Sequence, residues 1–484
     1  MPSPLLATDG YKFSMAEAGW PLRKETFYAS HRKGGLQVLP FDVENELRAA
    51  LPVAGEGDWE WLASHDYEMG GAFRAAIADG RITVRALPKF SVFHDREPIF
   101  SVTGCSALVS WLEPLVLTWN YRIQVATLAL FRPESLMEAV GVVTCEQQRA
   151  LVLQTLDAVG VAAPGPIRVE ADAYVERVRA QAAALVAVVG DPARIFEVGL
   201  RAASCLEQHL LALEGCKAAG ITRTSNVYGA KVKGLVPVGT MGHEHIQRYG
   251  SDEAAFRAMV ERRHQRSSFL LDTFDTIASG LPAAFEIMAE RKGARDSIRY
   301  DSGDKEVQYR HAAKLAKNYG LRPVQILEDG FDEKQTRRFE ELRVELGVHA
   351  DEQVYGYGGY LVAQTSGSPL TRDRVSAVYK LCQSGKSSTM KFGNEAGAGK
   401  QSVPGRPVLF RRSAGASGPF GLVGQEGEVA PAGYHLLETT GAVAANVAAA
   451  RQVEAADLRL GLTAQTQALV DVLKTSAFGS KERA

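Results

Sequence analysis

The 484-residue sequence has few cysteines and almost no net charge. Its 5 cysteines are an odd number and form no Cys-x-x-Cys pair, so neither a disulfide framework nor a cysteine zinc site is expected. The 55 basic and 56 acidic residues leave a formal net charge of −1. No overall field therefore attracts nucleic acid or an anionic membrane, and we expect neither as a partner.

Long hydrophobic runs are also missing, and we expect no secretory leader. The first residues reach Asp9 without a basic region or an extended apolar stretch. The most apolar run, residues 182–189, is too short to cross a bilayer. Hydrophobic residues make up 46% of the chain, which is enough for a sizeable core without disulfides. The sequence predicts a soluble protein of the reducing cytoplasm.

The middle of the chain alternates between short β-branched runs and helical patterns. This rhythm predicts parallel strands with right-handed crossovers, and the number of units favours a closed or nearly closed α/β barrel. Helical patterns are centred on Leu210, Leu315 and Leu342, and Asp332 with Gln335 resembles a helix-starting capping box. The predicted strands are residues 195–199, 221–227, 235–239, 269–272, 297–301, 324–328 and 353–357.

The flanks lack this alternation, which predicts four regions. Residues 1–130 mix helices with short strands, such as 82–86 and 99–102, in an N-terminal α+β domain. Residues 131–193 form an Ala-rich helical segment that leads into the barrel at 194–393. Residues 394–484 begin with a stretch rich in Gly, Pro and Ser and end in a helical pattern containing Leu462, Leu469 and Leu473. We expect this last region to pack with the N-terminal domain.

Polar and Gly-rich segments follow the predicted strands, where α/β barrels carry their active sites. Gly358 and Gly359 would allow backbone N–H groups to approach a phosphate. Asp301, Asp304 and Asp329 suit ribose hydroxyls or a Mg²⁺ shared with a pyrophosphate. The cations that could balance a polyanion are Arg201, Arg299, Arg372, Lys380, Lys391 and Lys400.

Ten ordered motifs resemble those of the nicotinate and nicotinamide phosphoribosyltransferases. The first is Leu-Leu-Ala-Thr-Asp-Gly-Tyr-Lys at 5–12. The others are Gly-Leu-Arg at 199–201, Thr-Ser-Asn at 224–226, Gly-Thr-Met-Gly-His at 239–243, Asp-Thr-Phe-Asp-Thr at 272–276, Arg-Tyr-Asp-Ser-Gly-Asp at 299–304, Asp-Gly at 329–330, Gly-Tyr-Gly-Gly at 356–359 and Val-Tyr-Lys-Leu at 378–381. Pro-Gly-Arg at 404–406 follows, and the resemblance weakens beyond residue 412.

The resemblance implies a type II phosphoribosyltransferase fold, an irregular α/β barrel plus a sandwich-like α+β domain built from the chain termini. It also implies a homodimer with shared active sites, in which Tyr11 stacks on the pyridine ring in the neighbouring subunit's site. The implied catalytic residues are His243, Asp301 and Arg299, with His243 phosphorylated by ATP. No protein group is assigned as a direct metal ligand.

The resemblance also implies which residues hold each substrate. Those around the base are Tyr11, Val198, Arg201, Ser225, Thr240 and Arg299. Those around phosphoribosyl pyrophosphate are Arg201, Asp301, Ser302, Gly303, Asp329, Gly330, Gly358, Gly359, Arg372 and Lys380. The chain departs from the family pattern at Val198, where an aromatic residue is usual, and at Ala202 and Tyr360, where arginine is frequent.

The function implied is nicotinate phosphoribosyltransferase, an ATP-dependent ligase of NAD biosynthesis and salvage. It would form nicotinate mononucleotide and pyrophosphate from nicotinate and phosphoribosyl pyrophosphate, with Mg²⁺ as cofactor and ATP as co-substrate. Ser225 can donate to a carboxylate, whereas an acidic residue there would favour the amide. A nicotinamide-preferring enzyme, a non-catalytic nucleotide-binding homologue and an unrelated sugar-phosphate barrel remain as alternatives.

Overall fold

The computed structural model describes residues 3–20, 22–291, 293–363, 370–392, 401–437 and 459–478. Lys400 and the glycine-rich stretch around it lie outside the described residues. No helix in the described part of the chain is both long enough and apolar enough to span a bilayer.

The strands are short. In chain order they are β1 (Ser3–Pro4), β2 (Lys24–His31), β3 (Gln37–Val38), β4 (Pro52–Val53), β5 (Ile82–Ala86), β6 (Val92–Phe93), β7 (Phe100–Cys105), β8 (Val142–Val143), β9 (Arg168–Val169), β10 (Ile195–Glu197), β11 (Arg223–Thr224), β12 (Val236–Pro237), β13 (Ser268–Leu270), β14 (Ser297–Tyr300), β15 (Val324–Leu327), β16 (Gln353–Tyr357), β17 (Ala377–Ser384), β18 (Ser387–Ser388), β19 (Pro407–Arg412), β20 (Gly421–Gln425), β21 (Tyr434–Leu436) and β22 (Leu460–Leu462).

Most helices either precede the barrel in the sequence or alternate with its strands. They are α1 (Gly10–Glu17), α2 (Val43–Ala49), α3 (Asp58–Ala63), α4 (Gly71–Asp79), α5 (Ser106–Trp111), α6 (Glu113–Thr118), α7 (Asn120–Phe131), α8 (Leu136–Val140), α9 (Glu146–Ala158), α10 (Ala171–Val189), α11 (Leu206–Ala218), α12 (Val227–Lys233), α13 (His243–Tyr249), α14 (Asp252–Arg262), α15 (Leu281–Glu290), α16 (Lys305–Tyr319), α17 (Glu333–Glu345), α18 (Gly359–Val362), α19 (Arg372–Val375) and α20 (Ala464–Phe478). Short 3-10 turns occupy Pro133–Ser135, Pro192–Arg194, Leu200–Ala202 and Ala350–Glu352, and a π turn occupies Thr276–Gly280.

The seven strands predicted for the barrel form one curled parallel sheet, in the order β12-β11-β10-β16-β15-β14-β13. Buried β-branched and aromatic residues fill these strands because both faces of a parallel sheet are covered. The strands β12 and β13 are the two edges and do not pair with each other. The barrel is therefore open between them, which confirms the prediction of an irregular α/β barrel.

Helix starts match the predicted signals where polar caps are present. The side chain of Asp332 accepts a hydrogen bond from the Gln335 backbone N–H at 2.7 Å, and α17 begins there. The C-terminal helix α20 begins at Ala464, so Leu462 belongs to the preceding strand rather than to the helix.

The five-stranded sheet joins two distant parts of the chain, in the order β18-β17-β2-β7-β5. Residues of β17 pair antiparallel with β2, for example Lys380 with Tyr28. Strand β17 therefore joins the N-terminal strands although it lies inside the range predicted for the barrel. A four-stranded sheet, β21-β19-β20-β22, follows with α20. The division into four regions remains a prediction.

A buried ion pair connects this sheet with the barrel. Arg248, on the α13 helix, donates to both carboxylate oxygens of Glu25 on β2 at 2.8–3.1 Å, and both side chains are fully buried. Arg248 also donates to Glu244 at 3.1 Å. Buried charges require such partners because each has lost its hydration.

Replacing Arg248 should therefore destabilise the protein strongly. We expect Arg248→Met to lower the free energy of unfolding by about 3–5 kcal/mol, because Glu25 would remain buried without its cation. Urea unfolding measures this. The control is Arg48→Met, which removes an exposed pair with Glu44 and should change the free energy by about 0–1 kcal/mol. Equal effects of the two variants would contradict a structural role for the Arg248 pair.

Candidate active site at the barrel mouth

A cavity of about 450 Å³ lies at the carboxyl ends of the barrel strands, beneath β17. Its position is the one that parallel α/β barrels use for catalysis. The residues predicted for the site that line this cavity are Tyr11, Val198, Arg201, His243, Arg299, Asp301, Asp329, Gly330, Gly358, Gly359, Arg372 and Lys380. Segments that are far apart in the sequence therefore meet in one space, as predicted.

A second cavity of about 500 Å³ extends through the barrel interior. It shares Tyr11, Arg201 and Arg299 with the mouth cavity. Ser225 and Thr240, which were predicted to surround the base, line this inner cavity. The two cavities meet at the carboxyl ends of the barrel strands, where a bound aromatic ring would lie.

Arg299 lies on the fully buried strand β14. Its side chain lines both cavities at their junction. Its Nη1 donates to Thr240 Oγ1 at 2.6 Å and to the Met241 carbonyl at 2.8 Å. Its Nε pairs with Glu328, and its Nη2 donates to Asp301 at 3.3 Å. Burial lowers the pKa of Arg299, but Glu328 and Asp301 more than offset this and raise the pKa above its usual value. The guanidinium thus remains charged beside two carboxylates.

His243 begins α13 and contacts groups from three other segments. Its Nδ1 lies 3.0 Å from Thr273 Oγ1, and its Nε2 lies 2.7 Å from Lys391 Nζ and 3.3 Å from Asp301. Burial and the nearby Lys391 ammonium lower the pKa of His243. The imidazole is consequently neutral at pH 7, with Nδ1–H donating to Thr273 and Nε2 accepting from Lys391.

Asp272 and Asp301 complete this cluster. Lys391 Nζ lies 3.5 Å from Asp272 and 3.4 Å from Asp301. Burial alone would raise the pKa of Asp301, but the Lys391 ammonium and the Arg299 guanidinium hold it well below its usual range. Burial also opposes the ionisation of Asp272, but Lys391 lowers its pKa below the usual value, so both acids are ionised at neutral pH.

The cluster of His243, Asp272 and Asp301 also has ligand atoms close enough to share a cation, all within 4.8 Å of one another. Carboxylate oxygens suit Mg²⁺, which usually binds through one or two carboxylates together with substrate phosphates. The donors thus fit a hard cation, although the Lys391 ammonium already balances part of their charge.

The N-terminal segment enters the mouth of its own chain's barrel. The backbone N–H of Gly10 donates to the Ser225 carbonyl at 2.7 Å, and Ser225 Oγ donates to Asp9 Oδ1 at 2.7 Å. Asp9 is buried, and its Oδ2 lies 3.1 Å from Arg201 Nε. Tyr11 is thereby brought to this site without a second subunit, although the expectation was a neighbouring subunit's site.

The Ser225 contact also changes the expected recognition of the base. Its proton is directed to Asp9, so the Ser225 hydroxyl offers a ligand lone pairs rather than a donor. Burial raises the pKa of Asp9 from its ordinary value, which makes this carboxyl a weaker acid. An acidic group thus lies beside position 225 even though the residue at 225 is serine.

Glu113 is a central residue that sequence reasoning missed. It is the first residue of α6, is buried, and accepts a hydrogen bond from the Tyr11 hydroxyl. Its carboxylate lies 2.9 Å from Lys12 Nζ, 3.8 Å from Lys380 Nζ and 3.9 Å from Arg201 Nη1. Nothing in the pattern Trp-Leu-Glu-Pro-Leu at 111–115 distinguishes this acid from a helix-starting residue.

The tyrosine ring itself is well covered. Only 8% of Tyr11 is exposed, and the guanidinium of Arg201 lies 5.5 Å from the ring centroid. The Lys12 ammonium lies 5.0 Å from the same centroid. Two cations thus lie near the ring that was expected to stack on a pyridine.

Backbone conformation shapes the phosphate side of the mouth. Asp329 has a φ of 60° and Gly330 a φ of 79°, so the chain turns sharply after β15. The Gly359 Cα is so close to Asp373 that an added Cβ would lie 2.8 Å from its Oδ2. Residues of the loops after β15 and β16 both line the mouth cavity.

Two predicted residues lie behind the cavity rather than in its lining. Ser302 is buried, and its hydroxyl donates to Asp272. Gly303 has a φ of 84° and supplies the turn that leads to the Asp304 cap of α16. Neither residue lines the mouth cavity, and their contact with phosphoribosyl pyrophosphate stays a prediction.

No family model matches the chain. Among curated proteins, it is 28% identical over 245 residues to the nicotinate phosphoribosyltransferase of Bacillus subtilis, covering 49% of this chain and 47% of that protein. It is 28% identical over 243 residues to nicotinate phosphoribosyltransferase pncB2 of Mycobacterium tuberculosis, covering 49% of each. The chain thus spans about half the length of the curated relatives it matches.

Solved structures match over most of the chain. The nicotinate phosphoribosyltransferase of Porphyromonas gingivalis superposes with a TM-score of 0.57 at 18% identity, covering 83% of this chain and 96% of that one. The Vibrio cholerae nicotinate phosphoribosyltransferase gives a TM-score of 0.55 at 15% identity, covering 81% and 88%. The type II phosphoribosyltransferase fold and the resemblance to the nicotinate phosphoribosyltransferase family are confirmed.

The pKa of Lys380 makes anion binding at the mouth depend on pH. Burial lowers this pKa to about 7, with Glu113 opposing the shift. A bound polyanion would raise the pKa of Lys380 again. The attraction between the Lys380 ammonium and the anion is therefore fully present below about pH 7. It is lost as the pH rises through the pKa that Lys380 has in the complex. We expect the affinity of the wild type for pyrophosphate, divided by that of Lys380→Met, to fall above pH 7 by up to about tenfold per pH unit.

Calorimetric titration with pyrophosphate between pH 6 and pH 9 measures this difference. The matched control is Lys231→Met, because Lys231 pairs with Asp58 away from the mouth. This variant should keep the wild-type pH slope. Parallel slopes for the wild type and Lys380→Met would contradict the assignment.

Proposed function

We propose that the protein is a nicotinate phosphoribosyltransferase of NAD biosynthesis and salvage. It would join nicotinate to the ribose of phosphoribosyl pyrophosphate and release pyrophosphate. The observation that carries this proposal is the convergence of the N-terminal segment, five barrel-strand ends and β17 on one cavity of about 450 Å³ that contains both cations and acids. The similarity to named nicotinate phosphoribosyltransferases supports it.

The chemistry needs positioning and charge neutralisation more than a strong base. The pyridine nitrogen attacks the anomeric carbon, forming the C–N bond while the C–O bond to pyrophosphate breaks and its electrons leave with the pyrophosphate. Arg372, Lys380 and Lys391 line the cavity and can stabilise the leaving group. Asp301 and Asp329 can accept hydrogen bonds from the ribose hydroxyls.

Mg²⁺ belongs to this proposal as a cofactor carried by the pyrophosphate. Asp301 and Asp272 have the oxygen ligands that would hold it, and when bound it supplies Lewis-acid stabilisation of the leaving oxygens. The protein residues would keep the two phosphates oriented, while Gly358 and Gly359 admit the sugar phosphate to the loop after β16.

ATP would act through His243. The geometry supports Nε2 as the atom that receives a phosphoryl group, because Nδ1–H is directed to Thr273. The P–O bond to ADP would break as the Nε2–P bond forms. Lys391, at 2.7 Å from Nε2, would stabilise the added negative charge.

Nicotinamide is the second candidate for the base, and one observation favours it. The buried Asp9 beside Ser225 can accept a hydrogen bond from an amide NH₂, as an acid at 225 would. The charged Arg299 favours the nicotinate carboxylate instead. A non-catalytic nucleotide-binding homologue would keep the ligand without turnover, and an unrelated sugar-phosphate enzyme would not use a pyridine.

The remaining parts of the proposal concern location and assembly. We assign the protein to the cytoplasm because of its composition and its similarity to enzymes of nucleotide synthesis. A homodimer with shared active sites remains a prediction. The contacts of Asp9 and Gly10 with Ser225 support a site that one chain can complete alone.

The direct test is product analysis. Purified protein with Mg²⁺, phosphoribosyl pyrophosphate and nicotinate should form nicotinate mononucleotide and pyrophosphate, more rapidly when ATP is present. Nicotinamide in the same assay should give a lower specificity constant. Ligand binding without any mononucleotide would support the non-catalytic alternative, and mononucleotide formed mainly from nicotinamide would reverse the choice of base.

His243→Ala should abolish the stimulation by ATP while some ATP-independent transfer remains. The reason is that Nε2 lies beside Lys391 at the centre of the acidic cluster, where it can receive a phosphoryl group. Mononucleotide formation with and without ATP measures the effect. His245→Ala is the neighbouring control, because His245 is buried against the Ala255 carbonyl and does not line the cavity. Unchanged ATP dependence in His243→Ala would eliminate the assignment.

Arg299→Gln should harm the use of nicotinate more than that of nicotinamide. The variant loses the cation, and the buried Glu328 would then repel a carboxylate more than an amide. Charge-assisted hydrogen bonds contribute about 1.5–3 kcal/mol, or roughly 10- to 150-fold in the specificity constant. Specificity constants for the two bases measure the difference. An equal loss would mean that Arg299 serves the phosphates or the ribose instead.

A further inference from the structure

A buried group of four side chains lies directly beneath the base side of the mouth. Glu197 ends β10, Thr224 ends β11, Asn226 caps α12 and His209 lies on α11. Each of these side chains is fully buried. None of the four was predicted as a site residue, and none lines the mouth cavity.

Glu197 accepts hydrogen bonds from three directions. The backbone N–H of Gly199 donates to its Oε1, His209 Nε2 donates to the same oxygen at 2.9 Å, and Thr224 Oγ1 donates to Oε2 at 2.7 Å. This one carboxylate thus fixes the ends of two neighbouring barrel strands. An isolated buried carboxylate would be costly, so its three donors are required partners.

His209 extends the connection to the second loop. Because its Nε2 donates to Glu197, its Nδ1 accepts from Asn226 Nδ2 at 2.8 Å. The amide oxygen of Asn226 in turn accepts from the Gly229 backbone N–H at 3.0 Å. The orientation of each side chain is therefore determined by its neighbour.

Two residues of the mouth, Arg201 and Ser225, are close in the sequence to members of this group or their hydrogen-bond partners. Gly199 begins the turn Leu200–Ala202 that carries Arg201, and Ser225 lies between Thr224 and Asn226. The Ser225 backbone N–H donates to the Glu197 carbonyl at 2.9 Å, and its own carbonyl holds Gly10 next to Tyr11.

We propose that Glu197 and His209 are positioning residues that set the placement of Arg201 and Ser225, and through Ser225 the N-terminal segment with Tyr11. This inference deepens the proposed function, on which its kinetic consequence rests. The carboxylate acts on the base side of the site, because its bonds reach the loops after β10 and β11. The loops after β14, β15 and β16 carry Asp301, Asp329 and Gly358.

The isosteric variant Glu197→Gln tests this. If its NH₂ replaces Oε1, it faces the Gly199 and His209 donors; if it replaces Oε2, the Thr224 hydroxyl loses its acceptor. In either orientation at least one hydrogen bond to the loops after β10 and β11 is lost. We expect the KM for nicotinate to rise about tenfold or more, and to rise more than the KM for phosphoribosyl pyrophosphate, to which Arg201 is also assigned. His209→Phe should give the same pattern. In the double variant the KM for nicotinate should rise by less than the product of the two single-variant factors.

Hydrogen exchange provides a readout that does not depend on activity. In Glu197→Gln, amide exchange should become faster in peptides covering 198–205 and 223–229 and remain unchanged at 297–304. The matched control is Glu340→Gln, since Glu340 accepts from Arg194, Gln353 and Tyr355 at the opposite end of the barrel. This control should leave the ratio of the two KM values and the exchange of the mouth peptides unchanged.

Each outcome decides the proposal. Unchanged exchange at 198–205 in both Glu197→Gln and His209→Phe would overturn it, even if the wild type proves inactive. Equal changes in both KM values, together with a loss of stability like that of Glu340→Gln, would assign the group a general structural role instead. If Glu197→Gln does not fold, His209→Phe alone still decides through the exchange and the KM ratio.

Discussion

The barrel mouth depends on the pairing of buried charges. Lys12, Arg201, Arg299 and Lys391 each lie against at least one carboxylate within 3.5 Å. A charge removed from water costs several kcal/mol unless a partner and hydrogen bonds compensate it. The N-terminal segment, the helix α13 and the strand β17 are therefore held where their charged groups can meet.

The same pairing explains how the site can accept a highly charged ligand. An incoming pyrophosphate adds negative charge to a cavity whose cationic side chains are already in place and charged. Few side chains must therefore change position when it binds. Lys380 differs, because burial lowers its pKa to about 7 and a bound anion would restore its charge. Glu113 lies among Tyr11, Lys12, Arg201 and Lys380, and it keeps these groups together before any ligand arrives.

The barrel could be predicted from the sequence because its signals are local. Every predicted strand is present, since β-branched runs between helical patterns specify parallel strands, and Arg299 lies on β14 as expected. The mouth residues at the ends of barrel strands follow from the rule that strand ends converge, whereas the roles of Tyr11, Arg372 and Lys380 come from the family resemblance. The pairing of β17 with β2 could not be predicted, because antiparallel pairing across hundreds of residues leaves no local pattern. Glu113, the Asp9 contact of Ser225 and the group around Glu197 likewise depend on tertiary packing alone.

The most direct test of this account is a crystal structure with nicotinate mononucleotide and pyrophosphate. The account predicts the pyridine ring between Tyr11 and Arg299, and the ribose phosphate beside Asp329, Gly358 and Gly359. The pyrophosphate should lie near Lys380 and Lys391. Nucleotide bound elsewhere, with the pairs of Arg299 and Lys391 unchanged, would contradict the placement of phosphoribosyl transfer at the barrel mouth.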